Sequence, residues 1–206
     1  MKLGLFGGSF DPVHLGHLLM AQAAREELGL DRLHFIPAAQ SPFKTESRHA
    51  PAAERLRLLR LALAGKPYCE VDDQELRRGG TSYTIATLRD YARRFPAAEL
   101  FYLIGADNVP NLPKWREAAE LSRLAEFVAI PRPGEAVWSS GFSRSGPPEG
   151  GTPNIFPPPF RGRTLTGFPL GVSSSQIRAR VKAGLPIEPL VPAAVAEAIR
   201  NNQLYL

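Results

Sequence analysis

The sequence predicts an α/β protein: a doubly wound parallel sheet with helices on both faces. Three observations carry that expectation. Short apolar runs alternate with longer helical patterns through the first 130 or so residues, the order that builds parallel strands joined by crossover helices. Leu100-Phe101-Tyr102-Leu103-Ile104 is apolar throughout, as a central strand covered on both faces requires. The polar, glycine-containing stretches Gly7-Gly8-Ser9 and Gly105-Ala106-Asp107 directly follow apolar runs. Ligands of such folds sit at those carboxyl ends, near a reversal of strand order.

In chain order, Leu3 to Phe6 reads as the first buried strand, and Leu18 to Leu28 as a helix ended by Gly29. Asp31 to Pro37 reads as a second strand stopped by proline, with His34 a structural member. After the loop Gln40-Ser41-Pro42-Phe43-Lys44, Pro51 opens a helix that runs through five leucines to Gly65. Tyr68 to Val71 is a third strand, and a helix from about Tyr83 to Phe95 follows Gly79-Gly80-Thr81-Ser82. After the strand at Leu100–Ile104, Trp115 to Leu124 reads as a helix and Glu126 to Ile130 as a strand. Nine of the twenty prolines fall between 131 and 169, so that stretch reads as a long loop, broken by a short strand near Arg163-Thr164-Leu165. A small C-terminal helical segment (172–206) closes the chain, its last helix Ala193–Asn201 entered through Pro192.

With 206 residues, the chain is long enough for one well-cored domain, and residues 1–206 are read as one. No apolar run reaches membrane-spanning length and no signal peptide is recognisable. The lone Cys69 excludes an internal disulfide and fits a reducing cytoplasm. A net charge of +5 favours anionic ligands. No dense basic run with interleaved aromatics marks a nucleic-acid surface. Nothing in the sequence sets the oligomeric state, and a homo-oligomer is compatible with it.

The chemistry concentrates in Gly7-Gly8-Ser9-Phe10-Asp11-Pro12-Val13-His14-Leu15-Gly16-His17. Glycines let backbone approach a ligand closely, and a helix start offers unpaired N–H groups and positive potential to phosphate. His14 and His17 are three apart and, if helical there, share one face at the end that points toward the turn. Such donors suit phosphoryl or nucleotidyl transfer, which needs alignment and charge stabilisation on oxygen. No Gly-Lys-Ser/Thr follows the turn and the full G-x-G-x-x-G fingerprint is missing. His-Glu-x-x-His is absent too, and His34, His49 and Cys69 are scattered, so no protein metal site is expected.

The segment resembles the signature of nucleotidyltransferases related to class I tRNA synthetases, and among them the bacterial nicotinate-nucleotide adenylyltransferases. Gly171-Val172-Ser173-Ser174-Ser175-Gln176-Ile177-Arg178 resembles that family's second signature, with Ser175 in place of the usual threonine. By itself it would be an ordinary serine cap with an exposed arginine. The 131–169 stretch departs from the family's shorter, more regular segment.

The resemblance implies a Rossmann-like fold and a reaction. The phosphate of nicotinate mononucleotide attacks the α-phosphorus of ATP in line, giving nicotinate adenine dinucleotide and pyrophosphate in NAD biosynthesis. No protein nucleophile is needed. It implies His14, His17 and Arg178 as catalytic groups. Gly8, Ser9, Phe10, Ser174 and Ser175, with those three, would bind ATP. Ser9, Phe10, Lys44, Tyr83, Thr84, Asp107 and Trp115 would bind the mononucleotide. Asp107 would take a ribose hydroxyl and Trp115 the pyridine ring. Mg2+ would be held mainly by the ATP phosphates. A phosphopantetheine adenylyltransferase, or a nucleotide- or RNA-binding module without catalysis, are the competing readings. The former would lack Gly-Thr-Ser-Tyr-Thr, Gly-Ala-Asp and Pro-Lys-Trp; intact His14, His17 and Arg178 speak against the latter.

Overall fold

The computed structural model describes residues 1–42, 49–131, 156–168 and 170–206. Six strands form one parallel sheet: β1 (Lys2–Gly8), β2 (Arg32–Pro37), β3 (Cys69–Val71), β4 (Glu99–Gly105), β5 (Glu126–Ile130) and β6 (Gly162–Thr164). Their order is β3-β2-β1-β4-β5-β6, the Rossmann-like order of a doubly wound sheet, and it reverses between β1 and β4. Both glycine-bearing turns singled out in the sequence lie there.

Side chains alternate across the sheet because successive Cβ atoms point to opposite faces. From β4, Leu100, Tyr102 and Ile104 join one buried cluster with Ile85, Leu88 and Leu121, while Phe101 and Leu103 join the other with Ala24, Leu58 and Val195. The helices divide accordingly. α1 (Leu15–Leu28), α2 (Ala52–Leu63), α6 (Ser174–Lys182) and α7 (Ala193–Asn201) supply the second cluster. α4 (Thr84–Arg94) and α5 (Ala118–Leu124) supply the first. Fully burying each such side chain is worth ~1.5–3 kcal/mol. The sequence reads correctly as apolar-run strands, and α1 ends as expected at Gly29, whose φ of 65° places it in the left-handed region.

Two elements escape the sequence reading. α3 (Gln74–Arg78) is a single short turn buried through Glu75. A 3-10 run, Ala106–Lys114, follows β4 and contains Pro110 and Pro113. Proline has no N–H to give an α-helix. The expected helix from Trp115 to Leu124 is therefore corrected: it begins at Ala118, Trp115 closes the 3-10 run in extended backbone, and Glu117 between them has φ 58°. The short strand expected near Arg163 is present as β6, hydrogen-bonded to β5. Most of the predicted loop, 132–155, lies outside the described residues, as do Lys44 and its neighbours 43–48. Among the described residues no helix is long and apolar enough to cross a membrane.

Candidate functional site

A cleft of about 890 Å³ opens over the carboxyl ends of β1 and β4. Gly8, Ser9, Phe10, His14, His17, Tyr83, Thr84, Asp107, Trp115, Ser174, Ser175 and Arg178 all line it. Every candidate residue that is described thus reaches one cavity, from segments up to 170 positions apart; Lys44 lies outside the described residues.

At one end β1 runs into the turn. A Cβ on Gly7 would lie 2.4 Å from the Tyr102 hydroxyl, so only glycine lets β1 pass over that ring. Phe10 takes φ 46°, and its ring packs on Phe6, Phe35 and His17. Only 2 % of it is exposed, so its ring belongs to the core. His14 caps α1, and its backbone N–H donates to His17 Nδ1 at 3.2 Å. With Nδ1 accepting, the neutral His17 ring carries its proton on Nε2 and is a donor without needing a charge. The two imidazoles lie ring over ring, 3.7 Å between centroids. A Cβ on Gly16 would meet the His14 ring at 2.9 Å, which explains the glycine between them.

The second signature is stitched to the first. Ser173 caps α6: its Oγ accepts from Gln176 N and its N–H donates to Gln176 Oε1, a capping box. Ser174 Oγ donates to the Pro12 carbonyl at 2.8 Å and Arg178 Nη1 to the Asp11 carbonyl at 2.7 Å. Ser175 Oγ lies 3.0 Å from Ser173 Oγ. The α6 N-terminus and the turn after β1 therefore form one donor-rich wall, which suits a polyphosphate.

The far end is aromatic and hydroxylic. Ser82 accepts from Ala39 N through Oγ and donates its N–H to the Gln40 carbonyl. Thr84 Oγ1 donates to the Tyr102 hydroxyl at 3.3 Å. Trp115 sets its ring edge-on against Tyr102 and Phe127, and the Arg116 guanidinium lies 4.8 Å from the centre of the Tyr83 ring. Asp107 is exposed at the start of the 3-10 run.

Sequence reasoning missed the layer behind these groups. Asp11, quoted in the motif but given no role, is 1 % exposed. Its Oδ2 accepts from His49 Nδ1 at 2.9 Å, and its Oδ1 from the Tyr205 hydroxyl at 2.8 Å and Ala50 N at 3.2 Å. Arg55, buried in α2, donates from Nη1 to the Ser9 carbonyl at 2.7 Å and from Nε to the Ala50 carbonyl at 3.2 Å. Burial pulls its pKa down, with Asp11 opposing. A charged residue within a leucine-rich helix was the available signal for Arg55; Tyr205 offered none.

Fold and cleft define the class: a Rossmann-like α/β protein whose glycine-bearing turn after β1 is braced by a second helix start. The cytidylyltransferase-like family model matches residues 5–180. A probable nicotinate-nucleotide adenylyltransferase of Opitutus terrae is 40% identical over 205 residues, covering 100% of this chain and 98% of that protein. One from Dehalococcoides mccartyi is 39% identical, covering 100% and 97%. The solved nicotinic acid mononucleotide adenylyltransferase of Plasmodium falciparum, in complex with NaAD, shares the fold with a TM-score of 0.74 at 16% identity, covering 99% of this chain and 97% of that one. The chain belongs to the nicotinate-nucleotide adenylyltransferase family, within the cytidylyltransferase-like nucleotidyltransferases.

Proposed function

We propose that this chain transfers the adenylyl group of ATP to nicotinate mononucleotide, giving nicotinate adenine dinucleotide and pyrophosphate in NAD biosynthesis, and that residues 1–206 act as one domain in the cytoplasm. The observation that carries this reading is the stitching of the two signature segments: Ser174 and Arg178 bond the carbonyls of Pro12 and Asp11. They and the two histidines thereby line one cavity.

A phosphate oxygen of the mononucleotide forms the new bond to the α-phosphorus as the bond to the β-phosphate oxygen breaks. The protein's part is to align two anions and to donate to oxygens that gain charge. His17 donates from Nε2, and Arg178 offers a planar fork whose Nη1 is anchored by Asp11. Trp115 gives the pyridine ring a flat surface, and the start of α4 at Thr84, with the Tyr83 hydroxyl beside it, supplies donors and positive potential for its carboxylate. Asp107 takes a ribose hydroxyl, and Lys44 a phosphate.

Mg2+ fits as an ion carried by the ATP phosphates. Among the described residues no three carboxylate, histidine or cysteine groups gather for a metal. Of the cleft carboxylates, Asp11 and Glu75 are buried and hydrogen-bonded. The exposed Asp107 suits an ion that already has phosphate ligands. Bound, Mg2+ would neutralise charge on the departing pyrophosphate.

The test is pyrophosphate release from ATP with nicotinate mononucleotide, with nicotinamide mononucleotide, and with no acceptor. The acid is expected to be preferred on the order of a hundredfold in kcat/KM, from two or three charge-assisted hydrogen bonds of about 1.5–3 kcal/mol each. Equal rates would remove the role given to Tyr83 and Thr84; no release with either acceptor would end the proposal.

A further inference from the structure

We infer that Tyr205 is a positioning residue for adenylyl transfer, acting through the buried carboxylate of Asp11 on Arg178. The inference rests on the function proposed above and adds to it a residue 194 positions from Asp11 that no motif contains.

Asp11 is where four separate segments meet. Its carboxylate accepts from Tyr205, His49 and Ala50, and its carbonyl accepts from Arg178. Arg178 Nη1 is also 3.8 Å from Oδ2 of the same residue. One nitrogen thus senses both ends of Asp11. A carboxylate has several acceptor positions and can rotate about its side-chain bonds. Three donors on two oxygens hold it in one orientation, and the carbonyl of the same residue is held with it.

The backbone on either side supports this. Phe10, next to Asp11, and Tyr205 itself both take positive φ, 46° and 65°. Non-glycine residues occupy that region at a cost and persist there when surrounding contacts require it. Gln203, two residues before Tyr205, does the same at 51°. The chain after α7 is bent so that the Tyr205 ring packs against the core cluster while its hydroxyl arrives at Asp11, at 2.8 Å. An apolar residue would fill the same space. The hydroxyl is needed only if the carboxylate must be held.

Arg178 binds phosphate well only if its fork is already aimed. An arginine that wanders loses orientation at the moment of transfer. Tyr205, by fixing Asp11, limits where Nη1 can sit and so where the rest of the guanidinium faces the cleft. His49 contributes at the other carboxylate oxygen, Oδ2.

The experiment is a double-mutant cycle on the full chain, with Tyr205→Phe, Arg178→Lys and the pair. Phenylalanine keeps the ring and removes one hydroxyl. Tyr205→Phe is expected to lower kcat/KM by about fivefold, the loss set by one hydrogen bond. In the Arg178→Lys background the same change should cost less than about twofold, because the group being aimed is gone. Equal losses in both backgrounds, or native activity in Tyr205→Phe, would overturn the inference. Asp11→Asn is the second variant. It too should lose its effect once Arg178 is lysine, and an additive loss would count against the proposal even if Tyr205→Phe melts early. If the native chain turns over no nicotinate mononucleotide, the functional reading fails by itself. The cycle is then read as ATP binding by calorimetry, where the same coupling is required.

Discussion

Two buried aspartates in this molecule gather the same kinds of partner and are used differently. Asp11 meets a tyrosine, a histidine and an arginine: Tyr205, His49 and Arg178. Asp72 also meets a tyrosine and an arginine: the Tyr91 hydroxyl donates to its Oδ2 at 2.7 Å and Arg94 Nη1 at 2.8 Å. His34 stands behind that tyrosine, its Nδ1 donating to the Tyr91 oxygen at 2.8 Å. In both clusters burial and the neighbouring carboxylate push the tyrosine hydroxyl pKa upward. Yet Asp72 does not line the cleft. Tyr91 and Arg94 are 19 and 22 residues from it, both on α4, and the cluster fastens that helix to β2 and β3 at the sheet's flank. Asp11's partners reach across 38, 167 and 194 positions. Composition does not separate a brace from a site. What separates them is whether the hydrogen-bonded groups include one that lines the cleft, as Arg178 does.

The largest effect expected of any test of this contrast comes from the cleft. His17→Ala removes a donor to charged phosphate oxygen and should lower kcat/KM roughly ten- to hundredfold, the equivalent of about 1.5–3 kcal/mol. Its urea midpoint should stay near native. A large drop in stability with turnover retained would place His17 among the structural residues. Asp72→Asn should do the reverse. Unfolding in urea should show a loss of about 1–3 kcal/mol, with turnover within about twofold of native.

The smallest expected effect is a pH slope. Burial holds the His34 imidazole below its ordinary pKa, against the pull of Glu70 and Asp72. The folded chain therefore prefers the neutral ring. Its contribution is present above the ordinary histidine value of about 6.5 and is lost as pH falls toward the folded value, because the unfolded chain binds the proton first. Stability measured from about pH 7.5 down to about pH 5 should decline across that window, and His34→Asn should flatten the decline. Turnover normalised to folded protein should not follow His34. If it does, the flank cluster is coupled to the cleft and the contrast fails.

Much of this was legible beforehand, and the limits have physical causes. Apolar runs and glycine stops located β1, β2, β4, β5 and α1 because burial on both faces leaves a plain pattern. The two signatures indicated a shared site because phosphate contacts come from turns and helix starts that are local in sequence. The 3-10 run after β4 was not legible: Pro110 and Pro113 within it leave no α-helical period to read, and the helical pattern from Trp115 was started three residues early. α3 is too short to show a period. Asp11 was in plain view, but its role depends on residues 38 to 194 positions distant, and no local pattern carries such pairings.

Those separations bear on how the protein comes to be active while it is made. The contacts that complete the cleft span 162, 167 and 194 positions, and closing a longer stretch of chain costs more entropy. A growing chain that has passed residue 130 holds the segments of the first five strands and the turn after β1, yet lacks the helix start and the tyrosine that finish the other wall. Synthesis from the N-terminus thus delivers the segments of the sheet before the helix start and the tyrosine that meet the turn after β1.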